Sequence, residues 1–143
     1  MHSPPTPGQR IKSIFERFGP ELDAALIEAE PMYHPELVFQ DPLQTLHGRD
    51  AFMEMNRRLM RRFRHIRFDV GELLESDSAI FLSWTMTMTS WLGPTLKVPG
   101  VTHIRLADGL IVEHRDYWDI LGATMDALPV LGPLYRGVMA QLG

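Results

Sequence analysis

The chain has 143 residues, of which 45% are hydrophobic and 22% are charged, so it is long and apolar enough to fold around one core. It contains no cysteine, which excludes disulfides, thiolate metal sites and cysteine nucleophiles and favours a cytoplasmic location. The net charge of −4 argues against a general nucleic-acid binder, and no apolar run reaches the roughly 18 residues of a membrane span.

The first half of the chain predicts helices around one short strand. Residues 1–8 are rich in Pro and Gly and predict a flexible leader. Apolar side chains then recur at three- and four-residue spacing, which predicts amphipathic helices at residues 9–18, 21–29 and 48–63. The apolar run at 37–41 predicts a strand, which the following proline ends.

The second half changes to a period of two. Alternating runs predict four strands, at residues 67–74, 79–91, 96–106 and 110–120. Short turn signals separate them, so the runs predict antiparallel neighbours in one sheet with its helices on one face. The tail, residues 122–143, predicts two short apolar helical pieces, broken by Pro129 and Gly132-Pro133, that cover a pocket mouth or a subunit contact.

A run of cations follows the face of the third predicted helix and continues past it. Six of the fourteen Lys and Arg residues lie between Arg57 and Arg67. A solvated helix face near the negative end of the helix dipole explains such a run. The alternative is a patch for anions or nucleic acid, but no interleaved aromatic residues or binding motif accompany it.

The run at 79–91 predicts two faces of different chemistry. Ser83 and Thr85 share one face, which suits a pocket wall, whereas Trp84, Met86 and Met88 share the other. An apolar sheet face of this size is typical of an interface, so we expect a homodimer through Trp84, Met86 and Met88. The alternative is that this apolar face belongs to the core and the hydroxyl face is solvated.

The candidate chemistry lies at the end of the last strand. Alternation places His114, Asp116 and Trp118 on one face, where a carboxylate between an imidazole and an indole is unusual and predicts a pocket lining. Asp41 ends an apolar strand and is a second candidate for proton transfer. The alternative for each of the two aspartates is an ordinary capping or paired carboxylate. The sequence has no nucleophile motif, phosphate loop or His/Asp pair with metal-ligand spacing, and a strand histidine such as His103 is more often structural than a metal ligand, so no metal or cofactor is expected.

Four segments combine into a familiar order and spacing: residues 33–42, 48–52, 108–111 and 115–119. Together they resemble the nuclear transport factor 2-like superfamily, which includes SnoaL-like polyketide cyclases, ketosteroid isomerases and limonene-epoxide hydrolases. The resemblance spans residues 9–121, with 122–143 as a helical extension of the same domain. It implies an α+β fold: a cone-shaped, curved, mixed but mostly antiparallel sheet packed against three N-terminal helices, with a deep apolar pocket, usually in a dimer.

The resemblance implies less about the reaction. Asp41 matches the general base of the isomerases, but the first helix has no Tyr, and Thr102 stands where their oxyanion hole has an Asp. Asp116 matches one Asp of the epoxide hydrolases, whose Arg-x-Asp pair falls on Ser83 and Thr85. Neither a typical steroid isomerase nor a typical limonene-epoxide hydrolase is therefore expected.

The function hypothesis is a SnoaL-like protein that binds a small apolar molecule and acts by acid–base chemistry, as an isomerase, cyclase or hydrolase. Asp116 is its principal acid or base, His114 orients it, and Asp41 is a second carboxylate. Ser83, Thr85 and Thr102 are expected to give the substrate neutral hydrogen bonds. Phe39, Trp118 and Tyr33 are expected to form the apolar wall of its pocket. The alternative is a non-catalytic ligand-binding or dimerisation module of the same fold.

Overall fold

The computed structural model describes residues 3–126 and 131–142. The helices are α1 (Pro7–Arg17), α2 (Leu22–Ala29), α3 (Arg49–Arg62), α4 (Ile120–Asp126) and α5 (Leu131–Leu142). The strands are β1 (Tyr33–Asp41), β2 (Gln44–His47), β3 (His65–Glu75), β4 (Ala79–Thr89), β5 (Thr95–Ala107) and β6 (Leu110–Trp118). No helix in these ranges is long and apolar enough to cross a membrane.

The strands form one curved, open sheet in the order β2-β1-β6-β5-β4-β3. Strands β3 to β6 are consecutive antiparallel neighbours, because the hairpins between them are short. Strand β1 is parallel to β6, and the connection between them contains α3 and the four strands β2 to β5. The α+β fold with a mixed, mostly antiparallel sheet is therefore confirmed.

The local elements differ from the sequence prediction where side chains far apart in sequence act on them. Helix α1 begins at Pro7, inside the predicted leader, because Thr6 caps it and the Glu75 carboxylate binds Thr6 and the Gly8 amide. Strand β2 was not predicted; it pairs with β1 across a turn. The predicted break at Pro129 lies outside the described residues. The predicted break at Gly132-Pro133 is wrong, because a proline in the first helical turn loses no hydrogen bond.

The core lies between the inner face of the sheet and the N-terminal helices. Ile11 and Ile14 of α1 and Phe52 of α3 are buried in one cluster with side chains from every strand except β2. The inner face of β4 contributes Ile80, Leu82, Trp84, Met86 and Met88 to this cluster.

The predicted roles of the two faces of β4 are therefore wrong. Trp84, Met86 and Met88 are at most 9% exposed and cannot form a subunit interface, because the helices already cover that face. Ser83 and Thr85 alternate with them and lie on the outer face of the sheet. The alternative, an apolar core face and a more solvated hydroxyl face, describes the strand correctly.

Gly100 of β5 makes room for the Trp84 indole. The two residues are cross-strand partners, and a Cβ on Gly100 would lie 2.3 Å from Cη2 of Trp84. No real Cβ contact is that short, so any larger residue would push the indole away. The glycine is required by packing, since its backbone is ordinary extended strand.

We expect Gly100→Ala to lower the free energy of unfolding by about 1–3 kcal/mol, the usual cost of overpacking a core. Urea unfolding followed by tryptophan fluorescence measures this change. Gly137→Ala is the matched control: a Cβ there meets nothing within 4 Å, and the position is helical. The control should gain about 0.5–1 kcal/mol. Equal unfolding free energies for Gly100→Ala and wild type would contradict the packing argument.

Candidate functional site

A chain of four hydrogen bonds crosses the inner face of the sheet and links five side chains. The Trp84 Nε1–H donates to Thr102 Oγ1 at 2.8 Å, and the Thr102 hydroxyl donates to Asp116 Oδ1 at 2.6 Å. His114 Nε2 lies 2.9 Å from the same Oδ1. His114 Nδ1 lies 2.8 Å from the Tyr33 hydroxyl. We call these five residues the Asp116 network.

Strand register brings the network together. Thr102 is the cross-strand partner of Asp116, whereas Trp84 pairs with Gly100, two residues from Thr102, and reaches Thr102 diagonally. His114 precedes Asp116 by two residues and so shares its face. Tyr33 comes from β1, on the other side of β6.

The two carboxylate oxygens of Asp116 have different surroundings. Oδ1 accepts from Thr102, and His114 approaches it as a second donor. Among the described residues, no hydrogen bond reaches Oδ2. The side chain is 21% exposed, against 3% for that of His114. Within the described residues, Asp116 therefore has one oxygen fixed by hydrogen bonds and one oxygen that no hydrogen bond engages.

Aromatic rings surround the His114 imidazole. The rings of Phe39, Phe52 and Tyr33 have centroids within 5.9 Å of it, and Phe15 of α1 lies parallel to it at 6.3 Å. This environment has a low dielectric constant, so an unpaired polar atom within it would be costly.

Tyr33 is buried in the same cluster. Its pKa is raised well above the ordinary value of 10.0, first by burial and then by the negative charge of Asp116. The phenol therefore keeps its proton, and it is a hydrogen-bond donor at every physiological pH. Its backbone carbonyl accepts from Arg49 Nη1 at 3.3 Å.

Asp41 is engaged elsewhere. Its carboxylate accepts from the backbone amides of Leu43 and Gln44 and from the Gln44 side chain, at 2.8–3.2 Å, in the turn between β1 and β2. No described hydrogen bond joins it to the Asp116 network. The structure thus places Asp41 as the acceptor that closes a turn.

The other predicted contacts divide between the two faces. Phe39 is buried beside His114, Thr102 belongs to the network, and Trp118 packs partly against the core. Ser83 accepts from the Glu72 amide at 2.8 Å and, like Thr85, lies on the face opposite Asp116. A direct contact between these two side chains and a ligand bound at Asp116 is inconsistent with that placement.

A small cavity of about 150 Å³ lies at the other end of the sheet. It is lined by Pro7, Arg10, Pro31, Met32, Leu106, Gly109 and Ile111. Ile111 and Asp116 are five residues apart on β6, or roughly 16 Å along an extended strand. The cavity is also smaller than the usual 300–1,000 Å³ of a ligand pocket. It is therefore not the pocket predicted around Asp116, which stays a prediction.

No group of three His, Asp or Glu side chains in the described ranges is arranged to hold a metal ion. The arginine run is exposed on α3 and the start of β3, where Arg57 and Arg61 pair with Glu54, and Arg67 pairs with Asp69. These pairs fit a solvated face.

Sequence reasoning missed three parts of this site. The sequence predicts Trp84 at an interface and Tyr33 in an apolar wall, and it gives no role in the site to Phe52, whose ring packs against His114. The link from Tyr33 to His114 had no local signal, since it depends on the parallel pairing of β1 with β6.

Solved structures with the same fold include a limonene-epoxide-hydrolase-like (LEH-like) epoxide hydrolase from M. tuberculosis. It is 14% identical, with 94% of this chain and 93% of that chain covered and a TM-score of 0.69. A candidate SnoaL-like polyketide cyclase from Jannaschia sp. CCS1 is 20% identical, with 90% and 99% covered and a TM-score of 0.68. An NTF2-like protein of unknown function from Exiguobacterium sp. 255-15 is 22% identical, with 78% and 98% covered and a TM-score of 0.67.

At these identities the structures show a shared fold and carry no activity across to this chain. No curated protein sequence matches the chain. The model of the SnoaL-like domain matches residues 21–114, which is about two thirds of the chain and includes Tyr33, Thr102 and His114. The chain therefore belongs to the SnoaL-like domain family, within the nuclear transport factor 2-like fold that its sequence resembles.

Proposed function

We propose that this protein is an acid–base enzyme in which Asp116 Oδ2 accepts a proton from a small apolar substrate. The observation that carries the proposal is the asymmetry of the carboxylate: Oδ1 is held by Thr102 and His114, and Oδ2 is free of described partners. A base needs an oriented acceptor atom that is not already hydrogen-bonded. The Asp116 side chain is partly buried beside an aromatic core, and this position supports the role.

The proposed reaction is removal of a proton from a carbon next to a carbonyl, as in an isomerisation or a cyclisation. Strong oxyanion donors are absent from the described network, because each of its N–H and O–H groups is used within it. Such a site suits a substrate whose negative charge is delocalised over its own conjugated system. An epoxide-opening reaction fits less well, because it needs an acid to protonate the leaving oxygen and Asp41 is held in its turn.

The alternative is a non-catalytic binding module. The position of Asp41 favours it, since a second carboxylate beside Asp116 would have strengthened the case for proton transfer. The location of the described cavity also favours it, because that cavity does not reach Asp116. The two functions differ in what happens to a ligand once bound, so a single substitution separates them.

Asp116→Asn should lower the turnover rate of an apolar carbonyl compound at least about a hundredfold, because proton transfer by a positioned base contributes 10²–10⁴-fold. The screen measures binding by thermal shift and proton exchange by deuterium uptake from D₂O into conjugated cyclic ketones and polyketide-like aromatics. Asp41→Asn is the matched control and should keep the exchange rate. If the wild type binds a compound without exchanging its protons, the protein is the non-catalytic binding module. Equal exchange rates in Asp116→Asn and Asp41→Asn would contradict the role of Asp116.

Thr102→Val should lower the free energy of unfolding by about 1–3 kcal/mol, because the buried Trp84 Nε1–H then loses its acceptor. It should also reduce the exchange rate, since Asp116 loses a positioning donor. Thr85→Val makes the same change on the outer face and should stay within about 0.5 kcal/mol of wild type. Urea unfolding compares the variants; similar losses for both would contradict the network.

We propose further that the protein is a homodimer and is cytoplasmic; the chemistry of the outer sheet face and the absence of cysteine support these proposals. The outer face exposes Phe81, Val101 and Tyr117 on three adjacent strands, and Phe81 stacks on His103 at 4.2 Å. A second copy placed face to face would bury these side chains.

Phe81→Glu should shift a dimer to a monomer in sedimentation velocity, because a charge would be buried against the partner. Leu92→Glu, at an almost fully exposed turn position, is the control and should not change the sedimentation coefficient. A wild-type protein that sediments as a monomer at micromolar concentration would contradict the dimer.

A further inference from the structure

We infer that one end of the domain binds the surface of an anionic membrane, through an apolar hairpin turn and the arginines beside it. The turn is residues 90–94, between β4 and β5, and the arginines are Arg58, Arg62 and Arg64, at the end of α3 and just after it. We call these residues the docking tip. Binding to a membrane surface needs no spanning helix, and the inference does not depend on the proposed function.

The turn projects beyond the neighbouring strand β6. Strands β4 and β5 stay paired as far as Thr89 and Thr95, whereas the last pair between β5 and β6 joins Gly100 to Trp118. The hairpin therefore extends past β6 by the five residues from Thr95 to Pro99, or roughly 16 Å of extended strand.

The turn presents two large apolar side chains to solvent. Leu92 is 97% exposed and Trp91 is 66% exposed. The backbone between them and β5 is closed locally, because the Ser90 hydroxyl donates to the Pro94 carbonyl at 3.1 Å and Gly93 takes a φ of 132°. Both side chains thus remain outside the core at the end of an ordered hairpin.

The three arginines of the docking tip lie beside this turn. Arg64 is between α3 and β3, and its backbone amide donates to the Thr89 carbonyl at 2.8 Å, one residue before the turn. Arg62 ends α3, and Arg58 lies one helical turn before it. All three are exposed. In the described ranges they form no ion pair or side-chain hydrogen bond, unlike the other three arginines of the run.

Neither segment of the docking tip contains an acidic residue. Residues 57–67 have six arginines, and residues 87–98 have one lysine. The hairpin turns at the opposite end of the sheet are polar instead, with Asp77 in one and Asp108 in the other. The docking tip therefore combines positive charge with apolar side chains, although the net charge of the chain is −4.

Two more turns lie at this end of the sheet. Strands β1, β4 and β6 run in the same direction, so the turn after β1 and the start of α4 lie at the same end as residues 90–94. They expose Leu43 and Leu121. Their carboxylates, Asp41 and Asp119, accept backbone amides within the chain. These turns thus add apolar side chains to the same surface.

A membrane surface fits the docking tip better than a folded protein partner does. A stable protein contact buries about 800 Å² on each partner with complementary shapes, whereas two side chains on a projecting turn form a convex point. A bilayer needs no complementary groove. Tryptophan is favoured at the headgroup level, leucine is favoured in the acyl region, and arginine attracts anionic headgroups.

Sedimentation with sucrose-loaded vesicles tests the charge part of the inference. We expect the wild type to bind vesicles of equimolar phosphatidylcholine and phosphatidylserine more tightly than vesicles of phosphatidylcholine alone, and salt should weaken the binding. Arg62→Gln combined with Arg64→Gln should lower the partition constant about thirtyfold, since each cation near an anionic bilayer contributes about fivefold. Arg10→Gln combined with Lys12→Gln removes the same charge from α1 and should keep the binding.

Leu92→Glu tests the apolar part. It should lower the partition constant at least about tenfold, because it removes a large apolar side chain and adds a charge that the lipid repels. Ile27→Glu is the matched control, since Ile27 is 74% exposed on α2, outside the docking tip, and the variant should bind like the wild type. Brominated phosphatidylcholine in the vesicles should quench the tryptophan fluorescence, and Trp91→Phe should lose most of this quenching, although Trp84 and Trp118 remain.

The inference is overturned if the wild type does not bind the phosphatidylserine vesicles or binds both vesicle types equally. Equal binding by wild type and Leu92→Glu, or an equal loss in Leu92→Glu and Ile27→Glu, would also overturn it. Binding to heparin without binding to vesicles would replace the membrane with a soluble polyanion. Vesicle binding is measured without substrate, so this result and the proton-exchange result can fail independently.

Discussion

The organisation of the inner sheet face depends on the need to satisfy polar atoms within an aromatic core. Two hydrogen bonds meet at Asp116 Oδ1, one from Thr102 and one from His114. Each of these residues is itself bound on its far side, by Trp84 and by Tyr33. A polar chain of this kind is stabilising only when complete, since one missing member leaves another buried and unpaired.

The same requirement explains residues that make no hydrogen bond in the network. Gly100 has no side chain because the Trp84 indole lies over it on the way to Thr102. Phe68 contacts Trp84 edge to face at 5.2 Å and also packs against Phe15 of α1. The helix that covers the sheet and the indole that holds Thr102 are thus joined through one ring. Packing and hydrogen bonding therefore fix the same geometry.

The sequence was sufficient to predict much of the fold and one strand of the site. Alternation correctly put His114, Asp116 and Trp118 on one face, since a period of two allows no other grouping along a regular strand. For β4 it grouped the residues correctly but assigned the faces wrongly. A period of two states which residues share a face, and only the position of the helices decides which face is inside.

Other features lay beyond any local pattern. The role of Asp41 depends on a turn into β2, a strand of four residues that carries no clear apolar alternation. The contact between Tyr33 and His114 depends on the parallel pairing of β1 with β6. These strands begin at Tyr33 and Leu110, which are 77 positions apart in the sequence. The register between them also shifts after Tyr33, so even a correct strand order would not have placed the hydroxyl.

The asymmetry of Asp116 connects the fold to the proposed chemistry. A carboxylate bound through both oxygens would be a structural acceptor, as Asp41 is in its turn. A carboxylate bound through neither oxygen would have no fixed direction. Asp116 is held on one side by residues of β5 and β6, and the sheet continues from it toward Trp118 and the exposed strand ends. Oδ2, which no hydrogen bond from the described residues engages, is therefore the oxygen that the proposed substrate would meet.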